Sequence, residues 1–189
     1  MASEYAKYVV DERAKEAIKY PVPAYNYAYD YGRWCQAELI IMKDPKTAYE
    51  YAKNVIKGRW PEVEPIIMKD PQLAYWYARG VIKGRWFEAE PCIMEDPRSA
   101  CGYALYVIKG RWFEAESVIM NYPRWAYEYA YTVIGGRWPE AEPDIMKEPE
   151  WACYYAKNVI KGRWPEAEDT IRESYYCWEE YEDFLSTLS

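Results

Sequence analysis

The triplet Gly-Arg-Trp begins at Gly32, Gly58, Gly84, Gly110, Gly136 and Gly162, each copy 26 residues after the last. A fixed period in the range of roughly 20 to 50 residues marks a stacked repeat array. A second landmark, an acid followed by proline, stands at Asp44-Pro45, Asp70-Pro71, Asp96-Pro97 and Glu148-Pro149, with Tyr122-Pro123 in the fourth place. The two landmarks divide each unit into two helices.

An N-cap aspartate satisfies an orphan backbone N–H, and proline at the first helical position needs no partner for one. Asp70-Pro71 therefore starts a helix, helix A, expected to run about 12 residues to Lys83. Gly84 is expected to supply the left-handed residue past its end, with Lys83 and Arg85 complementing the dipole. Helix B begins after the triplet, at Pro61, Phe87, Phe113, Pro139 or Pro165, with paired glutamates such as Glu62 and Glu64 near its positive end. A second proline, Pro65, Pro91 or Pro143, is expected to tighten its first turn and keep it short.

The hydrophobic period agrees. Ala48, Tyr51, Ala52 and Val55 fall at i, i+3, i+4 and i+7, and Ala74, Tyr77, Ala78 and Val81 repeat the pattern. Helix B contributes Ala89, Ile93 and Met94, echoed by Val63, Ile67 and Met68, and the small alanines let helix axes approach within ~8 to 10 Å. One hairpin cannot cover such faces, whereas stacked neighbours can. The expected fold is all-α, an α-solenoid of two-helix repeats forming one domain over 1–189. Residues 1–31 form an atypical N-terminal cap and shortened repeat, 32–174 the regular repeats and 175–189 a capping helix. Near the start Tyr5-Ala6 and Val9-Val10 resemble helix A. Near the end Arg172 replaces the methionine, and Trp178, Tyr181 and Phe184 mark a helix whose acids face water.

The chain has 22 Tyr and 10 Trp against 3 Phe, residues that bury a ring and keep a polar tip wet. A net charge of -7 spread along the chain disfavours nonspecific duplex binding. No apolar run is long enough for a membrane span and no leader pattern stands at the N-terminus, so the expected location is cytoplasmic. The five cysteines, at positions 35, 92, 101, 153 and 177, read as reduced packing residues.

The run Ala-Tyr-Glu-Tyr-Ala-Lys-Asn-Val-Ile-Lys-Gly-Arg-Trp-Pro-Glu-Val-Glu, 48–64, resembles uncharacterised short helical repeats of tailed phages and giant viruses, over roughly residues 24 to 174. The resemblance implies a viral origin and, as for small phage proteins generally, action on a host protein. It carries no catalytic or binding residue.

There is no histidine, which removes the commonest general base and metal ligand. Zinc-type cysteine spacing and phosphate-binding glycine loops are also absent, so no enzyme, metal or cofactor is expected. The glutamate pairs recur at every helix B start, which favours dipole complementation over acid–base chemistry. Arg33, Arg59, Arg85, Arg111, Arg137 and Arg163 should line one edge, either as an anion-binding row or, the favoured reading, as a structural ladder with glutamates.

The outward positions of helix A vary between copies: Thr47, Glu50, Asn54; Leu73, Trp76, Gly80; Ser99, Gly102, Tyr106; Trp125, Glu128, Thr132; Trp151, Tyr154, Asn158. Exposed aromatics grouped on one face mark a binding surface. The leading expectation is a non-enzymatic module gripping another protein through Glu50, Trp76, Tyr106, Trp125, Glu128, Trp151 and Tyr154, with some of the aromatics alternatively packing between repeats. Trp76→Ala with Trp151→Ala should then abolish binding. The alternatives are a site for a nucleotide or single-stranded nucleic acid, stacked on Trp and Tyr with the Arg row on phosphates, and a self-assembling structural protein.

Overall fold

The computed structural model describes residues 12–188. The pattern at Tyr5, Ala6, Val9 and Val10 lies outside these residues. Among the described residues there is no strand, and the chain is all-α, built from helical hairpins that recur every 26 residues, from Pro45 to Pro71, Pro97, Pro123 and Pro149. The chain divides into two compact units, 1–92 and 93–189.

In the first unit, helix Pro21–Tyr31 is followed by the B helix Cys35–Ile41, and the A helix Pro45–Tyr51 continues as Ala52–Ile56. The next B helix is Pro61–Val63 joined to Glu64–Ile67, and the next A helix is Pro71–Tyr77 joined to Ala78–Ile82. In the second unit the A helices are Pro97–Tyr103, Pro123–Tyr129 and Pro149–Tyr155, each with a five-residue continuation, and Tyr175–Ser186 closes the stack. The B helices between them include Phe113–Ile119, Glu142–Ile145 and Glu168–Arg172.

Caps fix the A-helix starts. Asp44 accepts from Thr47 N–H at 2.9 Å, Asp70 from Gln72 and Leu73 N–H at 2.9 and 3.0 Å, and Asp96 from Ser99 N–H at 2.9 Å. Glu148 and Tyr122 make no such bond, and there the proline at N1 starts the helix alone.

The A-helix ends correct the sequence reading. The last five residues of each are π-helical, with Lys83 N–H reaching Ala78 C=O at 2.7 Å. One more residue in the turn moves the left-handed position forward onto a lysine. Lys57, Lys83, Lys109 and Lys161 have φ between 56 and 61°, while the triplet glycines Gly58, Gly84, Gly110 and Gly162 do not lie in that region. Glycine takes a positive φ in two copies: Gly135 holds the lysine's place before the fifth triplet, at φ 70°, and Gly32, the first triplet's own glycine, lies at φ 100° after helix Pro21–Tyr31.

Helix B is split where proline opens it. With Pro61 and Pro65 its first turn is 3₁₀ and α-helix begins at Glu64, and behind Pro165 the same split occurs with Asp169 in the second place, whereas Phe113–Ile119, with neither proline, is α-helical throughout. Proline removes one N–H and clashes with the preceding turn, so it serves better as the start of a second short helix.

Each hairpin's core is small and repeated. Ala48, Tyr51, Ala52, Val63 and Ile67 in the first unit are fully buried, as are Ala126, Tyr129, Ala130, Ala141 and Ile145 in the second. Val55 and Met68 are only half-buried. Tyr181 anchors the closing helix, and Glu179, Glu182 and Asp183 face solvent.

Candidate functional site

Each triplet arginine forms a two-pronged pair with the glutamate five residues on: Arg33 with Glu38, Arg59 with Glu64, Arg85 with Glu90, Arg111 with Glu116, Arg137 with Glu142 and Arg163 with Glu168. The guanidinium fork matches a carboxylate in this geometry. The glutamates are largely buried and the arginines about half exposed. Where phenylalanine follows the triplet, Arg85 and Arg111 also lie over the Phe87 and Phe113 rings at 4.7 and 4.9 Å.

The paired glutamates therefore have unequal roles. Glu62, Glu114, Glu140 and Glu166 are exposed, as dipole complementation needs, but their partners at 64, 116, 142 and 168 hold an inner network. A tyrosine of the next A helix completes it. Tyr77 Oη accepts from Trp60 N–H at 2.7 Å and donates to Glu64 at 3.3 Å. Tyr51 does the same with Trp34 and Glu38, Tyr129 with Trp112 and Glu116, and Tyr155 with Trp138 and Glu142. Burial pushes the Tyr51 and Tyr77 phenols up to about 12 and raises those of Tyr129, Tyr155 and Tyr181 as well. The hydrogen bond from Arg137 lowers Glu142, and that from Arg163 lowers Glu168. Tyr51 and Tyr77 stood in the sequence as core residues, and the constant 17-residue interval from each triplet tryptophan was the signal of their second role.

The expected outward triplets split. Thr47, Leu73 and Ser99 are buried, at 6, 9 and 1% exposure, and the hydroxyls of Thr47 and Ser99 also bond their capping aspartates. Trp76, Trp125, Trp151 and Tyr154 are half-buried, whereas Tyr106, at 49%, and Thr132 are openly exposed. Glu50 and Glu128 are half-buried, Glu50 accepting from Asn54 at 2.8 Å. So the face is a set of seams between consecutive A helices, not an open strip.

In the second unit one seam gathers aromatics. Tyr127 has Trp151, Tyr154 and Tyr131 each with ring centroids 6.0 Å away, and Trp151 meets Tyr154 edge-on at 5.8 Å. Arg124 lies over both Trp125, at 4.8 Å, and Trp151, at 5.6 Å. Beside Tyr154 opens a groove of about 430 Å³ lined by Pro149, Cys153, Tyr176 and Cys177, with Glu148, Glu150 and Glu180 at its rim. Glu180 also accepts from Lys157 at 3.0 Å. In the first unit the matching seam holds Tyr49 and Trp76, with centroids 6.2 Å apart.

None of the five cysteines forms a disulfide; Cys101 and Cys153 are buried as packing residues, but Cys35, at the first position of its B helix, is exposed. Among the described residues no group of three or more potential ligands is placed to hold a metal ion, and no helix is long and apolar enough to cross a membrane. No family model, curated protein or solved structure matches the chain.

Proposed function

We propose that the chain is a non-enzymatic interaction module that holds another protein on the aromatic seam of its second unit. The carrying observation is the cluster of Tyr127, Trp151 and Tyr154, whose rings pack on one another while part of Trp151 and Tyr154 stays at the surface. Interface energy concentrates in such part-buried aromatic anchors. The acids Glu148 and Glu150 beside the groove, in a chain of net charge -7, favour a partner segment carrying lysine or arginine. A viral origin, a host protein as the partner and a seat in the host cytoplasm belong to this proposal and rest on the resemblance of the repeat.

The test is capture from bacterial lysate with the tagged chain, followed by titration of the purified captured protein. Trp151→Ala would also loosen the seam, so Glu150→Lys with Tyr176→Ala, both at exposed positions, is the variant to use. The double variant should bind at least tenfold more weakly, a loss of about 1.4 kcal/mol, with unchanged helicity. Equal affinity of the folded variant would exclude this seam as the docking site.

A further inference from the structure

The first unit carries a groove of opposite character. It has a volume of about 600 Å³ and is lined by Tyr29, Lys53, Asn54, Lys57, Gly80 and Lys83, among others, with no carboxylate in its wall. Lys53, Lys57 and Lys83 are exposed, and none is ion-paired with a described residue. Three unneutralised cations around one hollow, in a chain of net charge -7, form a local field that attracts anions.

Two features of the backbone bear on why they stand there. Lys57 and Lys83 sit at φ 59 and 60°, a conformation that lysine adopts only against steric cost. Gly135 fills the same place in the fifth copy, so the helix ends without a lysine. Helix-dipole complementation favours a cation there, but two consecutive strained lysines here also converge on one hollow. That hollow exists because of Gly80. Its counterparts are Asn54, Tyr106, Thr132 and Asn158, and a Cβ at Gly80 would come within 3.1 Å of Tyr49 Oη and 3.5 Å of Lys53 Cδ.

Across Lys53 and Gly80 the groove continues into a second hollow of about 470 Å³ walled by Tyr49, Trp76 and Arg79. Trp76 is half-exposed, and Arg79 donates to Tyr75 Oη at 3.0 Å. Glu50 borders this second part and is engaged by Asn54. An aromatic wall adjoining a cationic floor suits a ligand with a flat ring at one end and phosphates at the other.

We propose that the Gly80 groove binds a nucleoside polyphosphate, its phosphates held by Lys53, Lys57 and Lys83 and its base against Trp76. The triplet arginines take no part, being held by their glutamates. The site stands apart from the protein-binding seam and does not rest on it.

The test is calorimetric titration of the full chain, at low salt, with ATP and with inorganic tripolyphosphate. Wild type should bind ATP more tightly than tripolyphosphate, and Trp76→Leu should remove that preference. Lys57→Gly with Lys83→Gly should weaken both ligands by on the order of tenfold or more, while the chain melts no lower than wild type because glycine suits the left-handed position. Gly80→Thr, which places at 80 the residue type that Thr132 has in its own repeat, should block both ligands by filling the floor. Absence of binding by wild type, or undiminished binding by both the double-lysine and Gly80 variants, would overturn the site. Equal affinity of wild type for ATP and tripolyphosphate would overturn the nucleoside.

Discussion

The Tyr155 hydroxyl accepts the backbone N–H of Trp138 at 2.6 Å, tying the start of one B helix to the A helix that follows it. The same hydroxyl donates to Glu142 at 3.0 Å, and the Tyr155 ring packs on Trp164 at 5.0 Å. Hydrogen bond and ring contact therefore alternate along the second unit, from Trp112 through Tyr129, Trp138, Tyr155 and Trp164 to Tyr181. The first unit has the same succession in Trp34, Tyr51, Trp60, Tyr77 and Trp86.

Tyr155→Phe keeps the ring and deletes the hydroxyl, leaving the Trp138 N–H without its partner beside a buried indole. A buried donor left unpaired costs ~1 to 3 kcal/mol, so thermal unfolding followed by circular dichroism should show a lower midpoint. Tyr175→Phe, at an exposed ring, should melt as wild type does. An unshifted midpoint for Tyr155→Phe would show that water replaces the lost bond.

The raised phenols set an alkaline limit. A folded-state pKa above the unfolded value near 10 means that the neutral hydroxyl is favoured by folding. That stabilisation is complete below about pH 10 and is lost as pH climbs through the folded values, about 12 for Tyr51 and Tyr77. Absorbance of tyrosinate and helicity recorded on one sample should show ionisation of these buried phenols and loss of helix in one joint step.

At the acid end the sign reverses. Glu142 and Glu168 are lowered by their arginines, so they add stability above the usual carboxylate range and lose it as pH falls through their depressed values. Arg137→Gln should raise the pH at which helicity is lost, since Glu142 then returns towards its ordinary pKa. The arginine is half exposed, so the change should be a fraction of a pH unit to about one unit.

Thiol reactivity should follow burial. Burial pushes Cys101 up to about 12 and Cys153 up to about 11, and the nucleophilic thiolate is correspondingly scarce at neutral pH. Timed alkylation with mass spectrometry should label the exposed Cys35 first, then Cys92 and Cys177, with Cys101 and Cys153 reacting only as the chain opens.

Lys109→Gly should stabilise the chain by about 1 kcal/mol, because φ 61° is costly for lysine and costless for glycine. A lower melting point would mean that lysine's charge at the helix end outweighs the backbone strain.

The period, the hairpins and the capping aspartates were legible because each depends on residues close in sequence, such as Asp70, Pro71 and Gly84. The π ends were not. An i to i−5 bond such as Lys83 to Ala78 depends on how neighbouring helices pack, and nothing local to Val81-Ile82-Lys83 distinguishes it from an α turn. Thr47 and Ser99 were read as outward, but their hydroxyls turn back onto the capping carboxylates of Asp44 and Asp96. The lysine-lined groove escaped notice because Lys53, Lys57, Gly80 and Lys83 meet only when two copies lie side by side.

Because every tyrosine link reaches only the adjoining triplet, the second unit has no part that knows how long it is. A further 26-residue copy inserted between Trp138 and Trp164 would find the same indole, glutamate and phenol waiting at both junctions. Duplication and deletion of whole copies are then changes of length alone, and a lineage can resize the molecule without inventing a contact.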